Sequence, residues 1–298
     1  MKKIPYFKVN CSFKAFLMII IHNKTELGRM LDEFCKKGSV IGFVPTMGAL
    51  HKGHISLIES SLNTTDITVT SIFVNPTQFN DKADLERYPR VIEKDSQMLE
   101  KAGCHVLFLP DVQEIYPEKD TRVFNFGYLD TILEGEHRKG HFNGVAQVVS
   151  ILFDIVKPNK AFFGTKDYQQ LLIIKELTRQ LKLNIEIVPC PTFREEDGLA
   201  MSSRNMLLSA EERKAASVIP ALMQEAKRLK TAGKTVDELK QFVSEKLSKN
   251  PIYKLEYYEI CDAQTLQPVT SLNSSVISIS LIACFVGKIR LIDNLALD

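Results

Sequence analysis

The sequence predicts an α/β protein, a doubly wound parallel sheet followed by a second, smaller α+β domain. Three observations carry this reading. Short β-branched or aromatic runs alternate with amphipathic stretches over residues 40–188, the signature of repeated strand–helix–strand units. Polar clusters follow several of those runs, where the strand-exit loops of such sheets bind ligands. Past Thr192 the composition shifts to charged helices and then to strands.

Taken in order, residues 40–44 (Val-Ile-Gly-Phe-Val) form a short apolar run that ends at Pro45 and Gly48, as a buried parallel strand reads. A helix with the stripe Ile55, Ile58 and Leu62 should follow, with His51 and His54 in or just before its first turn. Residues 67–74 read as the next strand, closed by Asn75-Pro76. A helical stretch 91–102 leads into a strand 105–109, and a helix 144–156 leads into a strand 161–163 and a helix 169–183. After the run 185–188, Pro189-Cys-Pro191 breaks the regularity, so the expected division is 1–192 and 193–298. In the second part, 210–230 and 235–247 read as helices, 275–284 and 288–292 as strands.

A chain of 298 residues with 45% hydrophobic residues can bury a large core. Lys and Arg (38) nearly balance Asp and Glu (36) and are spread along the chain, which argues against nucleic acid as a partner and for a small-molecule substrate. The six cysteines, Cys11, Cys35, Cys104, Cys190, Cys261 and Cys284, form no Cys-x-x-Cys pair and read as buried thiols of a cytosolic protein. Lys2 and Lys3 precede an apolar run over 15–21, too short to span a bilayer and followed by no small-x-small cleavage site. The expectation is a cytoplasmic protein without membrane attachment.

Three polar clusters carry chemistry. Pro45-Thr-Met47-Gly48-Ala49-Leu50-His51-Lys52-Gly53-His54 places two imidazoles three residues apart at a helix start, where backbone N–H groups point at anions. Gly48 and Gly53 have P-loop spacing, yet His54-Ile55 stands where Lys-Ser/Thr is required, so this is no kinase-type P-loop. Imidazoles there can donate to phosphate and carry a proton near neutral pH; in isolation such a pair more often caps a helix. Gly164-Thr165-Lys166-Asp167 sets a cation at a strand exit, with Asp167 placed to cap the helix bearing Gln170. Met201-Ser202-Ser203-Arg204 offers hydroxyls and a guanidinium for clamping phosphates, or a plain helix cap at either serine. Gln78 and Gln170 suit a hydroxyl or carboxylate substrate. His137 and His141 lack a third ligand at fixed spacing, so no transition-metal centre is expected. Together the clusters indicate use of ATP.

From Met18 to Asn294 the chain resembles the pantothenate synthetase (pantoate-β-alanine ligase) family of the His-x-Gly-His nucleotidyltransferases. The segments, in order, are Pro45 to His54 as above, Phe73-Val-Asn-Pro-Thr-Gln-Phe79, Arg87-Tyr-Pro-Arg90, Gly140-His-Phe-Asn-Gly144, Phe163-Gly-Thr-Lys-Asp167 with Gln169-Gln170, Asp197-Gly-Leu-Ala-Met-Ser-Ser-Arg-Asn205, and Arg290-Leu-Ile-Asp-Asn294. The resemblance implies a Rossmann-like catalytic domain, a smaller C-terminal domain that closes over it as a lid, and a homodimer. It implies that pantoate attacks the α-phosphate of ATP with Mg²⁺ present, and that β-alanine then displaces AMP. It further implies that Met47, Gly48, Ala49, Leu50, His51, Lys52, Gly53 and His54 line the ATP site, with His54 a proton donor and His51 a support for the phosphates. Gly164, Thr165, Lys166, Asp167, Met201, Ser202, Ser203 and Arg204 would close on ATP, while Gln78 and Gln170 hold pantoate with Gln78 beside β-alanine. Asp95 would lie near magnesium. The chain departs from the family at Lys139 (commonly proline), Gln147 (commonly threonine) and Phe193 (commonly a valine that meets adenine), and residues 1–17 extend beyond the usual start. Two other readings share these residues: an adenylyltransferase acting on a phosphorylated cofactor precursor, which Gln78 and Gln170 disfavour, and an inactive nucleotide sensor, which the full set of histidines and cations disfavours.

Overall fold

The computed structural model describes residues 18–79, 82–272 and 276–298. Six strands, β1 (Ile19–Ile21), β2 (Ile41–Thr46), β3 (Ile67–Ile72), β4 (Val106–Phe108), β5 (Lys160–Gly164) and β6 (Glu186–Cys190), form an all-parallel sheet in the order β1-β4-β3-β2-β5-β6. The predicted doubly wound sheet is present, and its strand order reverses between β2 and β5, which makes that junction the switch point.

Strand periodicity sends alternate side chains to opposite faces, and both faces are covered. Ile41, Phe43, Val69, Val106, Phe108, Ala161 and Phe163 join a core under the helices Lys24–Lys36, His141–Val156 and Tyr168–Gln180. Val44, Ile72, Leu107 and Phe162 join a second core with Ile58 and Leu99 of the helices Lys52–Leu62 and Ile92–Ala102. Phe43, Phe108, Phe153 and Phe162 are almost fully buried, each worth about 2–3 kcal/mol of transfer free energy.

A three-stranded antiparallel sheet, β7 (Tyr253–Asp262), β8 (Ser278–Val286) and β9 (Ile289–Ala296), follows. Its one face packs on the helices Val218–Thr231 and Val236–Ser248 through Ile260, Ile282 and Val286. Its other face, through Cys261, Ile279 and Leu281, meets Leu133, Tyr168 and Leu172 of the first unit.

Several elements differ from the sequence reading for identifiable reasons. The predicted helix 210–230 is two helices, Ala210–Ala216 and Val218–Thr231, because Pro220 lacks an N–H and fits only in a first turn. Strand β6 runs through Pro189 to Cys190, which an edge strand tolerates. The helix expected from residue 144 begins at His141, with Gly144 in its first turns. Part of the run 15–21 is edge strand β1; residues 15–17 and Ser275 lie outside the described residues. The helix Lys24–Lys36, capped by the Asn23 side chain, and strand β7 were not anticipated. Of the cysteines expected to be buried, Cys104, Cys190, Cys261 and Cys284 are, while Cys35 is exposed and Cys11 lies outside the described residues. Among the described residues, no helix is long and apolar enough to cross a membrane.

Candidate active site

The cavity arises from how β2 parts from β5. Their pairing ends at Gly42–Lys160 and Phe43–Ala161, whereas β2 and β3 stay in register to Thr46–Ile72. Pro45, with no N–H to give, lies beyond the last β2–β5 pair. Into the opening between the two carboxyl ends fits a cavity of about 280 Å³, close to the lower size of small-molecule sites.

The loop after β2 is held from beneath. Gly48 and Ala49 adopt left-handed backbone conformations (φ +85° and +51°), a strained choice for alanine. The Asp95 carboxylate compensates: Oδ2 accepts from the Ala49 amide and Oδ1 from the Leu50 amide, both at 2.8 Å. Asp95, expected near magnesium, is fully buried, does not line the cavity and braces the loop through these two bonds. Burial pushes its pKa up, against the pull of the two amide bonds.

His51 is the N-cap of the helix Lys52–Leu62. Its Nδ1 accepts from the Gly53 amide (3.1 Å), and His54 Nδ1 accepts from the His51 amide (3.3 Å). The ring centroids lie 4.1 Å apart with the planes tilted by 39°, and a Cβ on Gly53 would come within 2.9 Å of the His51 ring, so glycine suits the intervening position. The capping and binding readings of this pair are therefore one arrangement. With each Nδ1 accepting, the proton of each neutral ring sits on Nε2. Burial, and next the Lys166 charge, lower the His51 pKa to about 4; burial, then His51 and Lys166, lower that of His54 to about 3. Near neutral pH these shifts favour uncharged imidazoles in the ligand-free site.

Gln78 is set by its neighbours. Asn75 Nδ2 donates to Gln78 Oε1 (3.1 Å), leaving the Gln78 NH₂ toward Met47 Sδ at 3.0 Å. The 3₁₀ turn Pro76–Gln78 lies so near the helix His141–Val156 that a Cβ on Gly144 would sit 2.5 Å from the Thr77 carbonyl oxygen. His141 Nδ1 meets the Gln78 carbonyl oxygen at 3.0 Å.

On the far side, Lys166 pairs with Asp167 at 3.3 Å, so the carboxylate expected to cap the next helix is turned to the lysine instead. Ser202 caps the 3₁₀ turn Ser203–Leu207 by accepting from the Arg204 amide. Met47, His51, Gly53, His54, Gln78, Gly164, Lys166, Asp167, Gln170, Phe193, Met201, Ser202, Ser203 and Arg204 all line the cavity. Gly48, Ala49, Leu50, Lys52 and Thr165 do not: Ala49 and Leu50 are buried beneath it, and Lys52 is exposed. The Phe193 carbonyl accepts from the Met201 amide, and Phe193 is 39% exposed.

Further lining residues were not singled out as site residues from the sequence. Arg138 approaches His141 Nε2 at 3.0 Å and Glu134 at 3.7 Å. Glu134 is buried and takes two bonds from Arg290 of β9 and one from the Tyr257 hydroxyl of β7. Burial alone would raise its pKa, but Arg290 and then Tyr257 hold it at about 2. Asn294 of β9 lines the cavity as well. The Gly140–Gly144 and Arg290–Asn294 segments were visible as motifs, but their chemistry depends on contacts between residues up to 156 positions apart.

A helix-start pair of histidines and two cationic loops around a cavity at the switch point of a parallel sheet define a class: a Rossmann-like α/β protein with its ligand site at the strand exits. A model of the pantoate-β-alanine ligase family matches residues 19–296. The pantothenate synthetase of Bacteroides fragilis is 49% identical over 93% of this chain and 98% of its own length. Among solved structures, pantothenate synthetase from Thermus thermophilus superposes with a TM-score of 0.88 at 41% identity, covering 94% of this chain and 99% of that one. Pantoate-β-alanine ligase from Francisella tularensis, crystallised with a β-γ ATP compound and β-alanine, superposes with a TM-score of 0.79 at 36% identity, covering 94% and 98%. The chain belongs to the pantoate-β-alanine ligase family.

Proposed function

We propose that this enzyme condenses pantoate with β-alanine at the expense of ATP, and that the residues around the cavity carry the reaction. A pantoate carboxylate oxygen bonds to the α-phosphorus while the bond to pyrophosphate breaks. The β-alanine nitrogen then attacks the acyl carbon, AMP leaves with the bridging oxygen, and the amine gives up a proton. The observation that carries this reading is the convergence of His51, His54, Lys166 and Arg204 on one cavity that Gln78 and Gln170 also line.

Neutral imidazoles with Nε2–H donors suit phosphoryl oxygens, and the arriving polyanion would raise both depressed pKa values, letting His54 hold a proton as charge grows on pyrophosphate. Lys166 and Arg204 neutralise the triphosphate. Gln78 turns an NH₂ donor toward pantoate oxygens without adding charge. Gly164, Asp167, Phe193, Met201, Ser202 and Ser203 would enclose the nucleotide, with Met47, His51, Gly53 and His54 as its floor. Arg138 adds a cation beside Gln78 for a substrate carboxylate.

The described residues contain no cluster of three or more His, Cys, Asp or Glu side chains suited to a metal ion, and Asp95 is committed to two amides. Mg²⁺ is therefore proposed to travel on the triphosphate, consistent with its usual reliance on phosphate and water ligands. A division at residues 192 and 193 with the second part acting as a lid draws support from the separate core around β7, β8 and β9. A homodimer and a cytoplasmic location rest on the family resemblance.

The test is product identification: ATP, Mg²⁺, pantoate and β-alanine should give AMP, pyrophosphate and pantothenate, and release of ADP or failure to form the amide overturns the proposal. His54→Ala should lower turnover by about two orders of magnitude with folding intact. Unchanged turnover removes His54 from the mechanism.

A further inference from the structure

Lys166 sits on the loop after β5 and Arg204 on the loop after β6, and both loops are tied to adjacent residues of β9. The Asn294 carboxamide donates one N–H to the Thr165 carbonyl (2.9 Å) and one to the Lys166 carbonyl (2.8 Å). Asp293 accepts from both terminal nitrogens of Arg194, at 2.7 and 2.9 Å. Arg194 also donates to the Gly198 carbonyl and pairs across a bridge with Ala200, just before Met201–Arg204. Asp293 and Asn294 are 5% and 8% exposed, so neither arrangement is a solvated surface contact.

Neighbouring side chains of a strand leave the backbone on opposite sides, so one dipeptide can hold two different loops. The chemistry at each position is specific. Two carbonyl acceptors side by side need two N–H donors on one short head, which asparagine has and aspartate lacks; a guanidinium needs the bidentate carboxylate. We propose that Asp293 and Asn294 are positioning residues of the ligase reaction, fixing the spacing between the Lys166 loop and the Arg204 loop so that both cations reach one polyphosphate. The device acts through Lys166 and Arg204 and rests on the nucleotide-binding reading given above.

A double-mutant cycle tests it: wild type, Asn294→Asp, Lys166→Ala and the double variant, titrated calorimetrically with the β,γ-methylene analogue of ATP and assayed for turnover. N294D should weaken analogue binding at least tenfold and lower kcat, with the KM for β-alanine moving less than twofold. In the K166A background N294D should cost less than threefold more. An equal cost in both backgrounds, or unchanged analogue affinity in a folded N294D, overturns the inference. Asn294→Ala, which brings no new charge, replaces N294D in the same cycle if circular dichroism shows N294D unfolded. A wild-type chain that fails to bind the analogue overturns the nucleotide reading itself, whereas wild-type binding matched by N294D overturns only the positioning role.

Discussion

The two walls of the cavity are built in opposite ways. The histidine wall is made within one unit: Asp95 holds the Ala49 and Leu50 amides, and the His51–His54 box is closed by residues three positions apart. The cation wall is made between units, since the 164–167 turn hangs on Asn294 and Glu134 is locked by Arg290 and Tyr257 from the second sheet. The first wall is therefore fixed as soon as the parallel sheet forms. The second exists only while the antiparallel sheet is docked.

The contrast can be broken most sharply at Asp95. Asp95→Ala leaves two buried amides unpaired on a strained loop, so unfolding free energy should fall by about 3–5 kcal/mol, and turnover by roughly a hundredfold as the histidines shift. Denaturant unfolding and steady-state kinetics measure both; a neutral variant would show that the loop needs no brace.

Arg290→Met attacks the other wall. It leaves the buried Glu134 carboxylate with the Tyr257 hydroxyl and the more distant Arg138 guanidinium at 3.7 Å, which should cost about 3 kcal/mol. The double variant with Glu134→Gln should recover part of that loss. Failure of the second change to recover stability would mean that the pair is not the latch.

Acidification should separate the walls without mutation. His51, His54 and His141 have folded pKa values below the usual 6.5, so on acidification the unfolded chain takes up protons first. Their stabilisation is complete above about pH 6.5 and drains away as pH falls toward 4 and, for His54, 3; buried His141 alone would account for about 3 kcal/mol over the full window. Glu134, depressed to about 2, keeps its contribution until pH drops below its ordinary 4.5 and loses it through about 2. Stability of the ligand-free chain should therefore start to fall below pH 6.5, and the ATP analogue should protect more at pH 5.5 than at pH 7.5. A flat profile from pH 7 to 5 would contradict neutral buried imidazoles.

The smallest effect belongs to a departure from the family pattern. Gln147 faces away from the cavity and donates to the carbonyls of Asp120 (3.3 Å) and Arg122 (2.8 Å), tying the 120–122 loop to the helix His141–Val156. Gln147→Thr is too short for both bonds and should cost about 1 kcal/mol while leaving turnover unchanged. A loss of activity would connect that loop to the site. For Lys139, exposed at the surface, the structure offers no reason why lysine replaces proline.

How much was legible in advance follows the same division. The parallel sheet and the histidine helix start were readable because strand runs and the helix stripe at Ile55, Ile58 and Leu62 are local patterns. The break at Pro220 was missed although its cause is local, since helix-forming residues on both sides outweighed one proline. Arg138 and Asn294 gave no chemical signal, because a lone arginine or asparagine in a sequence is ordinarily a surface residue.

What the residues determined unaided was the periodicity of each strand and helix and the identity of the chemical groups at the strand exits, since backbone sterics and side-chain spacing act over a few positions. Tertiary structure alone decided that β2 and β5 part beyond Phe43, that the Asp95 carboxylate braces the Ala49–Leu50 loop, and that burial favours uncharged imidazoles. The physical reason is range. Desolvation and hydrogen bonds between distant segments come into being only when packing brings those segments together and excludes water between them.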